Sequence, residues 1–224
     1  MIQLCRCRGC EAPRRHFYVP VCYTRKLPLM IIASQLRKEN IAQYLLYMWQ
    51  IEDIIRAFNL DIDKIDAEIV NKFPEDKRKE VHEWYESLID MMRREEIVSK
   101  GHLQMNRNTI GALADLNNRI LADPSPKFDQ YRKEFYATLP FIVELRAKAG
   151  EDKGGEIETC FNALYGMLML RLKGQEISPD TAKAMEQISR FMALLSADYA
   201  LDEKDELFKD DEEKGAEKGA EKKE

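Results

Sequence analysis

The sequence has few of the residues that turn a chain back on itself, 10 Gly and 8 Pro among 224. That scarcity excludes the many short hairpins of an all-β sandwich or barrel. No apolar run approaches the roughly 20 residues that span a bilayer. The nearest candidate, Leu27 to Ala33, contains Pro28, is followed by Arg37 and Lys38, and at seven residues is short for the apolar region of a cleaved signal. Neither a membrane anchor nor a secretory signal is expected, and a cytoplasmic protein is. Cysteine is nearly absent from the body of the chain: Cys5, Cys7, Cys10 and Cys22 lie in the first 29 residues, and only Cys160 lies beyond them. A fold stapled by disulfides would spread its cysteines through its length. Cys160, beside the apolar run Phe161 to Leu172, reads as a small buried hydrophobe.

A basic face is missing too. Residues 1–29 carry six Lys/Arg against Glu11, and residues 202–224 carry eleven Asp/Glu against six Lys, so the stretch between keeps a net charge of −5. Phosphate backbones need the opposite sign, and no nucleic-acid partner is expected. Familiar catalytic signatures are absent as well. The residues three before His16, His82 and His102 are Pro13, Lys79 and Ser99, which rules out the Glu-x-x-His pairs of di-metal bundles. His82-Glu83 leads to Glu86 where a zinc-protease helix needs a second histidine. No phosphate-cradling glycine loop and no Gly-x-Ser-x-Gly elbow occurs.

What the sequence does contain is apolar residues recurring every three or four positions, the period of an amphipathic helix. The pattern predicts an all-α, single-domain bundle of about seven helices over residues 30–201. A first helix runs from Ser34 to Asn59 with a stripe of Ile41, Tyr44, Met48, Ile51, Ile55 and Phe58. Leu45, Leu46 and Trp49 make its first half apolar all round, as suits the middle of a bundle. A short helix over Ile62 to Asn71 turns Ile62, Ile65 and Ile69 inward, and a third starts at Phe73-Pro74-Glu75-Asp76 with Val81, Trp84, Leu88 and Met91 or Met92 inward. Gly101 breaks the chain before a fourth, which buries Leu103, Ile110, Leu113, Leu116 and Ile120. Asp123-Pro124-Ser125-Pro126 is a loop. The fifth, from Lys127, buries Phe128, Tyr131, Phe135, Leu139 and Ile142 and bends at Pro140. A flexible loop over Gly150 to Gly155 precedes the sixth, from Glu156 to Lys173, which Gly174 caps. Ser178-Pro179-Asp180 opens the seventh, whose stripe is Met185, Ile188, Met192, Leu195 and Tyr199. Residues 202–224 are too charged to bury much surface and read as a disordered tail.

At Met30 the character of the chain changes. The run from Met30 to Arg56, beginning Met-Ile-Ile-Ala-Ser-Gln-Leu-Arg-Lys-Glu-Asn, resembles the opening of an uncharacterised all-helical family from Bacteroidetes catalogued as a domain of unknown function. Lys100-Gly-His-Leu-Gln-Met-Asn106 is similar to a second signature of that family, and the likeness covers Met30 to about Asp202. The resemblance implies an all-helical fold and carries no activity with it. It also suggests that residues 1–29, a disordered leader rich in Cys, Pro and Arg, lie upstream of the genuine start at Met30.

Two groups of residues have the composition of a site. Cys5, Cys7, Cys10 and Cys22, with His16 between them, hold enough thiolate and imidazole for zinc but lack the paired knuckles of a zinc module, so no metal or cofactor is expected. The second group lies on the first helix, where Asp53 and Glu52 stand three and four residues before Arg56 and project from one face with Gln50 nearby. His102, Gln104 and Asn106 of the second signature are the polar groups available to complete it. Such a cluster is either a structural ion-pair network or a ligand or acid/base site. With catalytic motifs missing and several helices apolar on more than one side, the expected function is a noncatalytic module that self-associates as a homodimer or binds a protein partner. The alternative is an enzyme or small-ligand binder using Glu52, Asp53, Arg56 and His102.

Overall fold

The structure, a computed structural model, describes residues 29–148 and 154–209, with side chains from Ile32 onward. The leader cysteines, most of the Gly150–Gly155 loop and the end of the tail lie outside the described residues. Every regular element described is helical: α1 (Leu29–Glu39), α2 (Ile41–Ala57), α3 (Ile62–Glu68), α4 (Glu75–Arg94), α5 (Gln104–Ala122), α6 (Asp129–Lys148), α7 (Glu156–Leu172) and α8 (Pro179–Asp202). The all-α class is as the periodicity predicts. The count of eight described helices, against about seven expected, comes from one feature.

That feature is Asn40, where the expected Ser34–Asn59 helix breaks. It begins earlier, at Leu29, and divides into α1 and α2. Asn40 Oδ1 accepts from the Gln43 amide at 3.0 Å and from Ser196 Oγ at 3.0 Å, and Ser196 Oγ in turn lies 3.4 Å from the Ala42 amide. Two side chains therefore cap the start of α2, one local and one reaching over from α8. Other boundaries follow local chemistry. Ser178 accepts from the Thr181 amide at 3.2 Å and Pro179 occupies the first turn of α8. Gly174, at φ +65°, closes α7: its amide bonds Arg171 O at 3.0 Å and the next amide bonds Leu170 O at 3.0 Å.

The helices gather into two compact units. The first comprises Tyr47–Gly101 with the chain up to Gln35, and the second Leu36–Leu46 with the chain from His102. In the first, α3 packs on α4, and Ile51, Ile55, Ile65, Val70, Val81, Tyr85, Leu88, Ile89 and Met92 are buried. Tyr85 takes the inward place expected for Trp84, which is half-buried with its ring edge-on to Tyr85 at 5.2 Å. Ile62, Ile69 and Phe58 are also only half-buried.

In the second unit α6 lies along α8, and α7 packs on α5, α6 and α8. Leu103, Ile110, Leu113, Leu116, Ile120, Tyr131, Phe135, Ile142, Ile188, Met192 and Leu195 are buried as the periodicity predicts, while Leu139 and Tyr199 are half-buried. Phe191, absent from the expected stripe, is fully enclosed, its ring edge-on to Tyr131 and Phe135 at 5.6 and 5.5 Å. Packed side chains continue past residue 202. Leu207 is buried, Phe208 stacks against Phe128 at 5.5 Å and under the Arg119 guanidinium at 4.4 Å, and Arg119 grips both carboxylate oxygens of Asp202 at 2.9 Å.

Candidate functional site

Gln50, Glu52, Asp53 and Arg56 all sit on the part of α2 that belongs to the first unit, whereas His102, Gln104 and Asn106 belong to the second. The expectation that both carboxylates share a face does not hold. Successive helical residues are rotated by about 100°, and Glu52 is turned inward at 1 % exposure while the Asp53 side chain is 49 % exposed. Gln50 is buried as well. At the start of α5, Asn106 is buried and His102 half-buried. Gln104 is exposed and bonds along its own helix, donating to Asn108 Oδ1 and accepting from Arg107, both at 2.7 Å.

Arg56 does something the sequence pattern did not suggest. Its Nη1 donates to Asp53 Oδ1 at 2.9 Å, but its Nε and Nη2 reach the Ile97 carbonyl at 3.4 and 3.3 Å, and Nη2 also donates to the Gly101 carbonyl. The guanidinium fork thus clamps the two ends of the segment Ile97–Gly101 onto α2. The chain enters that segment through a left-handed residue, Glu96 (φ +57°), and leaves it at Gly101 (φ +91°), a conformation open to glycine.

A second charged group lies in the first unit. His82 Nδ1 is 2.7 and 2.9 Å from the two Asp66 oxygens, and its Nε2 is 4.0 Å from Glu86. The hydrogen bond to Asp66 raises the imidazole above its ordinary range, with Glu86 and Glu83 adding to it and desolvation opposing it. With a carboxylate facing each ring nitrogen, the protonated imidazole is favoured in this half-buried pair. The Glu86 half of the arrangement was readable as an i, i+4 pair, but Asp66 arrives only through the packing of α3 on α4.

The second unit holds a polar group at its core. Tyr131 Oη donates to Asn117 Oδ1 at 2.8 Å, and burial holds the phenol well above its usual range, with Asp198 and Cys160 contributing. Asp198 itself is pushed up to about 6 by desolvation. Cys160, fully buried, is pushed up to about 12 chiefly by burial, so it is a thiol at neutral pH and matches the reading of a small hydrophobe.

Asp198 yields a pH prediction. Its folded carboxyl binds a proton that the unfolded chain, with a pKa near about 3.9, has already released. Stability therefore falls as pH rises from about 4 to about 6, and the deficit persists at neutral pH. Because the group is partly solvated, the cost is on the order of 1 kcal/mol rather than the full shift. Asp198→Asn should raise stability by about that amount at pH 7.5 and lose its advantage at pH 4.5. Urea unfolding of both proteins at the two pH values checks it, and a gain independent of pH would contradict it.

Among the described residues no three His, Cys, Asp or Glu side chains are arranged to hold a metal ion, and no helix is long and apolar enough to cross a membrane. The largest unexplained feature is apolar. On α6, Tyr136 and Val143 are 60 % and 59 % exposed, and Pro140 and Ala147 are exposed between and beyond them. These residues are spaced by four, three and four along a regular helix, which puts all of them on the face opposite the buried Tyr131, Phe135, Thr138 and Ile142. Pro140 brings no N–H to that face, leaving the Tyr136 carbonyl without its helical donor.

No curated protein and no solved structure matches the chain. Residues 30–206 match the profile of a family described as "Domain of unknown function (DUF4924)", and the chain, which carries that match over most of its length, belongs to this family.

Proposed function

We propose that the domain is a noncatalytic, cytoplasmic protein-binding module that docks through the outward face of α6. One observation carries the reading: a tyrosine, a proline, a valine and an alanine form one stripe on a helix whose other side is already packed into the core. Scattered surface hydrophobes are ordinary, but an aligned row over three turns, led by an aromatic ring, has the make-up of an interface centre. Leu170 and Leu172, 37 % and 50 % exposed at the end of α7, add to the apolar surface of the same unit. The polar groups named above support the reading from the other side. Arg56 is engaged with backbone, His82 with two carboxylates and Tyr131 with Asn117, so each has a structural occupation.

A photo-crosslinking residue placed at Tyr136 in the full chain, expressed in its native cells, tests this. Discrete higher-mass adducts are expected from position 136 and not from a control at Lys183, an exposed polar position on α8. Identical patterns from the two positions would sink the reading.

A further inference from the structure

We infer that the partner of the α6 face is a second copy of this chain, packed against the first with the two α6 helices antiparallel across a two-fold axis. The inference rests on the reading of that face as a docking surface and adds what occupies it.

The argument comes from the charges beside the stripe. Lys133 and Glu144 are both exposed, and both lie on the same flank of the Tyr136–Pro140–Val143 row. They are eleven residues apart, close to three whole turns at roughly 3.6 residues per turn. In a two-fold antiparallel pair the contact is isologous, so each flank meets the same flank of the other helix running the opposite way. A register that sets Tyr136 against the other copy's Pro140 also sets Lys133 against the other copy's Glu144. Symmetry repeats both contacts, so one alignment gives two ring-on-proline contacts at the centre and two opposite-charge pairs at the edges.

The existing partners leave this arrangement open. Lys133 forms no ion pair among the described residues. Among the described residues Glu144 pairs with Lys148 alone, 2.7 Å away, in an exposed i, i+4 pair of the kind that is easily exchanged. A parallel pairing would bring this flank against the opposite one, where Lys133 would meet Arg132. The antiparallel alignment avoids that repulsion and also opposes the two helix dipoles favourably. One stripe on one helix is smaller than a standard stable interface, so the dimer is a weak one, with a dissociation constant of about 10 to 100 µM.

Sedimentation velocity of the full chain from about 5 to about 500 µM brackets that range. The wild type should pass from monomer to dimer within it. Lys133→Glu and Glu144→Lys should each weaken association by about tenfold, because each places like charges opposite one another twice. The double variant Lys133→Glu/Glu144→Lys should restore it to within about threefold of wild type, since the pairs re-form with signs exchanged. All these positions are exposed, so circular dichroism should report unchanged helicity in every variant. A wild type that stays monomeric at the top concentration overturns the inference. So does a dimer that the single variants leave intact, or one that the double variant fails to restore. A monomer that still gives discrete adducts from position 136 removes the second copy as partner while leaving α6 as the docking face.

Discussion

Phe191→Ala should lower the stability of the chain by about 3–5 kcal/mol, toward the upper end of that range. The ring is fully enclosed and sits edge-on to two other aromatics, Tyr131 and Phe135. Deleting it removes its transfer free energy and two aromatic contacts of about 0.5–1.5 kcal/mol each, and leaves a cavity. How much the cavity costs depends on whether its walls can close. Tyr131 is poorly placed to move inward, because its hydroxyl is held by Asn117 at 2.8 Å on the neighbouring helix. Phe191→Leu, which retains most of the volume, should cost less than half as much. Urea unfolding followed by far-ultraviolet circular dichroism checks both, and a loss below about 1 kcal/mol for the alanine variant would mean that the ring is not a packing centre. Both tryptophans, Trp49 and Trp84, lie in the first unit, so their fluorescence reports whether that unit melts in the same transition.

Phe191 also marks where the sequence stops being informative about the fold. Features that depend on a few consecutive residues were legible: Ser178-Pro179 at the start of α8, Gly174 at the end of α7, Gly101 before α5. So was any face whose apolar residues keep strict spacing, as along α5. Where two adjacent large residues compete for the inward position, periodicity alone does not choose. Phe191 and Met192 are both buried because α8 meets α6 and α7 together, and Tyr85 displaces Trp84 on α4. The break at Asn40 is not legible locally because half of its cap, Ser196, is 156 residues away. Leu207 and Phe208 stand among charged residues in the sequence, while the Phe128 ring and the Arg119 guanidinium that hold Phe208 are remote from it.

The polar cluster on α2 was legible as a set of residues and not as a function. Composition and spacing identify Asp53 and Arg56 as neighbours, and they are. Spacing cannot reveal that the main acceptors for Arg56 are backbone carbonyls, since every residue has one and none announces itself in the sequence. The same is true of Arg93, which donates to Leu60 O at 2.9 Å across the turn that follows α2. In the first unit, arginine acts mainly as a tie between a helix and an irregular segment.

That role predicts the cost of losing it. Arg56→Ala should destabilise the chain by about 2–3 kcal/mol, since hydrogen bonds from a charged donor contribute about 1.5–3 kcal/mol and the Ile97 and Gly101 carbonyls would both lose theirs. The ion pair with Asp53 adds little, because the carboxylate is half exposed, and Asp53→Ala should cost less than about 1 kcal/mol. Arg56→Lys separates geometry from charge: a single ammonium cannot span both carbonyls, so it should recover less than half of the loss. The Ile97–Gly101 segment should then open, since Glu96, just before it, holds a left-handed backbone that is costly for a non-glycine residue. Hydrogen exchange should show faster exchange in residues 97–101 of the alanine and lysine variants, with α5–α8 unchanged. Guanidinium unfolding followed by fluorescence of Trp49 and Trp84, both in the unit that Arg56 ties together, measures the energy. A loss within about 0.5 kcal/mol of zero, or a full rescue by lysine, would show that the fork holds nothing the fold depends on.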